Sequence, residues 1–245
     1  MPERTEAVID VPPSGFRGLC TLLPVKRYQR HLPHWRQEGA TYFATFRLAD
    51  SLPQAKLAEL RQQREVWRQM HPEADGEEFD TFALEQMARI ERWLDAGFGS
   101  CVLKKASARR GLDECLCRFD GERYELGAFV IVSNHAHVVV KPLGAWSLEQ
   151  VDGAWKQYSA KCINRTTGRR GRVWQSESFD RIVRDTPHLR RVLKYLEGNW
   201  TRSGGAGSFW VRPDWREWFG GARWGGSMTR PTLGRRLAVE SGAGQ

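Results

Sequence analysis

The triplet His135-Ala136-His137, followed by Val138-Val139-Val140, holds the residues of this 245-residue chain best suited to chemistry. In an extended segment residues i and i+2 point to the same face, so the two imidazoles can grip one divalent cation while the small Ala136 faces away. Two structural histidines on a half-buried strand would give the same pattern, and residue types alone leave both readings open. Nucleotidyl hydrolysis of the histidine-triad kind needs a third histidine on this face, where Val139 stands instead. The five cysteines (Cys20, Cys101, Cys115, Cys117, Cys162) are odd in number and irregularly spaced, which fits reduced thiols better than a disulfide framework. Cys115 and Cys117 lack the second ligand pair of a closed zinc site.

The net charge of +9 favours a polyanionic partner, and its distribution says more. From Lys156 to Lys194 there are eleven basic residues against three acidic ones. Within that segment Lys161, Arg165, Arg169, Arg170, Arg172, Arg181 and Arg184 are candidates for phosphate contacts, with a solvated face as the other reading. Trp174, set between basic residues, could stack an unpaired base or belong to the core.

These groups must be positioned by elements that the patterning outlines. Thr41 to Leu48 is aromatic and Thr-rich, as suits a strand. Helical periodicity runs from Pro53 to about Met70 and from Phe82 to Leu94, around an acidic break at Pro72 to Asp80, and again from Ser107 to Phe119. Leu126 to Val132 and His135 to Val140 read as adjacent strands joined by a tight turn at Ser133-Asn134. An amphipathic helix over Val151 to Thr167, a short strand over Phe179 to Val183 and a helix over Pro187 to Trp200 follow, Pro187 suiting a first turn. At 100° per residue Tyr195 and Asn199 share one side of that last helix, beside the stripe Leu189, Val192, Leu193 and Leu196. The order implies an α+β fold with a mainly antiparallel sheet and packed helices. Residues 1–24 are expected to be a flexible leader, 25–203 the domain, and 204–245 a loosely packed Gly/Arg/Trp-rich tail. There Trp210, Trp215, Trp218 and Trp224, with Arg212, Arg216 and Arg223, either clamp the polyanionic partner or cover the domain. The longest apolar run, Ala128 to Val132, is too short to cross a bilayer, and the first residues lack a signal-peptide pattern, so a cytoplasmic location is expected.

Three ordered blocks, Phe129 to Val140, Gly171 to Asp185 and Leu189 to Asn199, resemble the single-tyrosine HUH transposases, most closely those associated with repetitive extragenic palindromes in bacteria. The resemblance covers roughly Arg27 to Gly204. It implies a ferredoxin-like or RRM-like palm, with His135, His137 and Asn199 as ligands of a divalent cation, Mg²⁺ or Mn²⁺. It implies Tyr195 as the catalytic nucleophile, forming a 5′-phosphotyrosine on single-stranded or hairpin DNA, with nucleoid association and either one chain or a homodimer as the working form. Metal-dependent strand cleavage and transfer would be the activity; a non-cutting DNA-binding protein on the same fold is the alternative. Ser133 stands where relatives often have proline, Ala136 where the residue is usually larger, and Trp200 where proline usually follows the asparagine. Tyr158, on the amphipathic face of the preceding helix, is the rival nucleophile.

Overall fold

Tyr42-Phe43-Ala44-Thr45-Phe46-Arg47 sends alternate side chains to two buried faces and forms a central strand, β3 (Tyr42–Arg47). The computed structural model describes residues 11–30, 32–74 and 76–220. Before β3 lie β1 (Lys26–Gln29) and β2 (Pro33–Arg36), which pair as a separate hairpin. After it come α1 (Gln54–Met70), α2 (Gly76–Asp95), α3 (Ala106–Cys117), β4 (Tyr124–Ile131), β5 (His135–Pro142) and α4 (Leu148–Thr167). The described part ends with β6 (Phe179–Ile182), α5 (Thr186–Arg202), β7 (Ser208–Val211) and α6 (Pro213–Phe219). No helix among the described residues is long and apolar enough to cross a membrane.

The main sheet has five strands in the order β6-β3-β5-β4-β7, each neighbouring pair antiparallel. Taken in chain order, β3, β4, β5 and β6 occupy the places fourth-first-third-second across the sheet, with helices joining the first to the second and the third to the fourth. This is the ferredoxin-like split arrangement, and the expected α+β class holds. Strand alternation divides the core in two. Tyr42, Phe46, Phe129, Ile131, Val138 and Val140 face α3 and α4, where Trp155, Leu112 and Ile163 cover them. Phe43, Ala128, Val130 and Val139 face α5, which supplies Leu189, Val192, Leu193 and Leu196. The stripe repeats every three to four residues because that spacing keeps one helical face turned to the sheet.

Asp185 caps α5, its carboxylate accepting from the His188 N–H at 2.6 Å, and Pro187 sits in the first turn. A bulge in β4 falls at Gly127, where a Cβ would lie 2.3 Å from the Trp215 ring of α6. Glycine therefore lets α6 press directly onto the strand.

The ends of the domain differ from the sequence expectation. Residues 204–245 do not begin as a loose tail: β7 completes the sheet, Trp210 and Trp215 are buried, and Arg190 stacks over Trp218 at 3.9 Å. The Gly-rich turn before β7 hid a four-residue strand too short to show a period. Arg223 and Trp224 lie outside the described residues. The described part of the leader is tied down, Leu19 N–H donating to the Arg184 carbonyl at 3.0 Å and Trp215 Nε1–H to the Ser14 carbonyl at 2.7 Å. The β1–β2 hairpin carried no clear alternation and was not anticipated.

A charged network fastens that hairpin to the fold. Arg36 pairs with Asp180 of β6 at 2.5 Å and with Glu149 of α4 at 2.7 Å, while His34 bridges Asp180 (2.7 Å) and Glu177 (3.1 Å). Burial alone would lower the His34 pKa, but the bonds to Asp180 and Glu177 prevail and raise it to about 9. The folded value exceeds the ordinary one of 6.5, so this stabilisation is complete below about pH 6.5 and is lost as pH rises through 9. Urea unfolding of the wild type should therefore show stability falling by about 1–3 kcal/mol across that window, and His34→Asn should flatten the fall. Equal pH slopes for the two proteins would refute the assignment.

Candidate functional site

Asn134 sets the geometry of the histidine pair. Fully buried, it donates from Nδ2 to the carbonyls of Leu94 (3.1 Å) and Phe98 (3.2 Å), which turns Oδ1 toward His135 Nδ1 at 2.8 Å. An amide oxygen only accepts, so the His135 proton resides on Nδ1 and the lone pair on Nε2. That Nε2 is buried with no hydrogen-bond partner. His137 is held likewise, its Nδ1 sharing a hydrogen bond with Thr45 Oγ1 at 2.8 Å, directly across the ladder from it. Burial lowers both imidazole pKa values to about 3, for His135 with help from the neighbouring His137. Both rings are neutral at physiological pH, and the His135 Nε2 carries a lone pair free to act as a ligand.

The third member is Glu91, on α2. Its carboxylate Oε2 lies 3.5 Å from His137 Nε2, and the ligand atoms of Glu91, His135 and His137 all lie within 4.8 Å of one another. Two neutral imidazoles, each anchored through Nδ1, and one carboxylate form a donor set that could hold a divalent ion, with the anchoring that metal-bound histidines usually have. The orphaned Nε2 of His135 fits that use, since a buried polar atom without a partner is costly otherwise. Glu91 escaped the sequence reading because it lies 44 positions before His135 with no spacing rule linking them. Its only signal was a carboxylate beside the apolar positions Met87, Ile90 and Leu94.

Tyr195 projects from α5 into the same place. Its hydroxyl donates to Glu91 Oε2 at 2.5 Å and lies 3.4 Å from His137 Nε2. The ring meets the edges of His137, at 5.1 Å between centroids, and Phe43, at 6.0 Å. Burial, then the charge and hydrogen bond of Glu91, raise the phenol pKa, so the hydroxyl is protonated at rest. Asn199, one turn later and buried, donates from Nδ2 to the Tyr195 carbonyl at 3.0 Å. The structure thus gathers the predicted His135, His137, Tyr195 and Asn199 around one point and adds Glu91.

Tyr158 is half exposed on α4, across the sheet from the histidines, and cannot reach them. The basic segment divides. Lys161 and Arg165 lie on α4, on that far side. Arg169 reaches Ser100 Oγ at 2.6 Å, near Asp50, and Arg172 donates to the Trp174 carbonyl at 2.8 Å. Arg170 is exposed in the same loop. Arg181, on edge strand β6, shares the histidine face and contacts His188; Arg184 follows, exposed. Trp174 is a correction: it is 4% exposed, donates to Ser159 Oγ at 2.9 Å and packs edge-on against Phe46, so it is a core residue unavailable for base stacking. Its large apolar surface outweighed the basic residues on either side.

No protein-family model and no curated protein matches the chain. Among solved structures, the chain is similar to that of a REP-associated tyrosine transposase bound to a REP hairpin, at 15% identity and a TM-score of 0.38, covering 73% of this chain and 74% of the other. That likeness is distant in both sequence and superposition, and the functional reading rests on the residues of the site.

If the three side chains hold a divalent ion, Mn²⁺ at a hundred times its Kd should stabilise the chain by about 2.7 kcal/mol, a rise in Tm of roughly 5–10 °C. His135→Ala and Glu91→Gln should each remove most of that rise. A rise of the same size in both variants would mean that the ion binds elsewhere.

Proposed function

We propose that this chain cuts one strand of DNA, with Tyr195 as the attacking group. The observation that carries the reading is the placement of the Tyr195 hydroxyl, 2.5 Å from Glu91 Oε2 and 3.4 Å from His137 Nε2, on the face toward which both histidines direct Nε2.

Glu91 is poised to accept the phenolic proton as the tyrosine oxygen attacks phosphorus. The new bond is P–O(Tyr195); the bond broken is P–O3′, and the departing 3′-oxygen takes a proton from water. The product is a 5′-phosphotyrosine beside a free 3′-hydroxyl. One diester replaces another, so the step is close to energy-neutral, and attack by a 3′-hydroxyl reverses it or joins a different strand.

The residues fit a divalent cation held by His135, His137 and Glu91, which when bound would supply Lewis acidity toward a phosphate oxygen. Two imidazoles and one carboxylate suit Mn²⁺ better than Mg²⁺, which prefers oxygen ligands and water. Glu91 adds a carboxylate to the ligand set that the resemblance implies, and Asn199, whose side chain meets the Tyr195 phenol and carbonyl, stands beside it as the polar ligand of that set. A single strand or a hairpin end suits the site, since the attacked phosphate must come within bonding distance of a half-buried hydroxyl. The net charge of +9 and the basic residues Arg169, Arg170, Arg172, Arg181 and Arg184 support a nucleic-acid substrate.

Incubation with a labelled single-stranded hairpin and Mn²⁺ should give a covalent adduct that survives a denaturing gel. Tyr195→Phe should erase both adduct and nick while leaving DNA affinity within about twofold, and Glu91→Gln should slow the reaction by about 10²–10⁴-fold. Tyr158→Phe should react like the wild type. An adduct that persists in Tyr195→Phe would refute the nucleophile, and nicking without any adduct would indicate water as the attacking group. Binding without nicking across a panel of hairpins would favour the non-cutting alternative.

A further inference from the structure

A cavity of about 210 Å³ adjoins the site between α1, α2 and the β3–β6 side of the sheet. Thr45, whose hydroxyl anchors His137, lines it, so cavity and histidine pair share a wall. Its other walls carry Arg47, Arg61 and Arg64 over an apolar floor that includes Met87, Ile90 and Phe179. We propose that this cavity receives the phosphate and sugar of one nucleotide of the DNA strand that crosses the tyrosine site, with Arg47, Arg61 and Arg64 gripping the phosphate. The proposal rests on the reading of that site as one for a DNA strand.

Three features of the cavity point to an anion. The first is uncompensated positive charge. Arg47 donates to Ser51 Oγ at 3.1 Å, and among the described residues none of the three arginines has a carboxylate within ion-pair distance. The lining carboxylate, Glu177, bonds the Leu32 N–H at 3.0 Å and His34 at 3.1 Å and offsets part of the Arg64 charge, which leaves one acid to three guanidiniums in the lining. Burial and nearby Arg172 lower the Arg47 pKa to about 10, and burial and Arg68 lower that of Arg64. Partly buried guanidiniums with further arginines nearby are relieved by a bound anion.

The second feature is the roof. α1 is 17 residues long and has no fully buried side chain, so its inner face, with Leu57 and Leu60, stands over an opening. The third is size. At roughly 30 Å³ per water, the space equals about seven waters, which admits a sugar with its phosphate and excludes a base pair. Arg47 lies directly opposite His135 in the β3–β5 register, so a phosphate held there sits beside the histidines on the same face of the sheet.

The test is binding of a fluorescent ten-nucleotide oligodeoxythymidylate to the full chain in EDTA, followed by anisotropy over a range of salt. Arg61→Gln/Arg64→Gln should weaken binding at least about tenfold and reduce the salt slope by about 0.7 for each phosphate no longer neutralised. Leu60→Trp keeps every charge but fills the cavity, and should weaken binding while leaving circular dichroism unchanged. Arg110→Gln/Arg118→Gln removes equal charge on the α3 side of the sheet and should bind like the wild type. Arginine variants matching that control in affinity and slope would overturn the cavity assignment, even if the Tyr195 adduct forms. Loss of affinity in the arginine variant with no adduct from any hairpin would leave the cavity standing and refute the chemistry. Failure of the wild type to bind the oligonucleotide would overturn both.

Discussion

Across the β3–β5 ladder Thr45 lies opposite His137 and Arg47 opposite His135. Side chains alternate along a strand, so a slip of one residue in this register would send both histidines into the α3/α4 core and bring Ala136 and Val138 to the site. The apolar residues on either side prevent the slip, since Phe46, Val138 and Val140 belong to one core and Phe43 and Val139 to the other. The same burial that fixes the register keeps both imidazoles neutral, with pKa values near 3. Packing and ligand chemistry therefore have one cause.

Around that ladder each ring nitrogen has an assigned task. Asn134 can face His135 only because the carbonyls of Leu94 and Phe98 hold its amide, and both belong to the end of α2 and the turn that follows. Gly99 permits that turn, with φ of +84° and a would-be Cβ only 2.2 Å from the Asp50 carbonyl oxygen. α2 thus does two things at once: its end orients one histidine through Asn134, and its Glu91 faces the other. Few substitutions there would be silent, because one polar network joins a helix, a turn and a strand.

The charges around the histidine pair are of both signs. Glu91 is the acid at the centre, and burial raises its pKa above the ordinary carboxylate value. Arg202 and Arg47 stand on either side of the histidine pair, from the end of α5 and the end of β3. The network of His34, Arg36, Asp180, Glu149 and Glu177 has another role, since its acids and bases satisfy one another and attach the β1–β2 hairpin to the sheet. Arginines outnumber acids on the side where α1 and α2 meet β3.

Periodicity alone made the strands at residues 124–142, the helix bearing Tyr195 and Asn199, and the α+β class legible, because each has a long stretch in which apolar spacing admits one element type. His135 and His137 were legible for the same reason, being two positions apart on a strand whose hydrophobicity is plain. The short elements were not: β1, β2 and β7 have four residues each, too few for a period, and they owe their form to pairing partners remote in sequence. Trp174 admitted both a base-stacking and a core reading among its arginines, and the space beside Phe46 and Ser159 decided for the core. Glu91 could be found only in three dimensions. The sequence by itself determined which face of which strand carries the imidazoles; the packing of α2 and α5 against that face decided which acid and which phenol meet them, because convergence of remote segments depends on register and helix placement that no local spacing encodes.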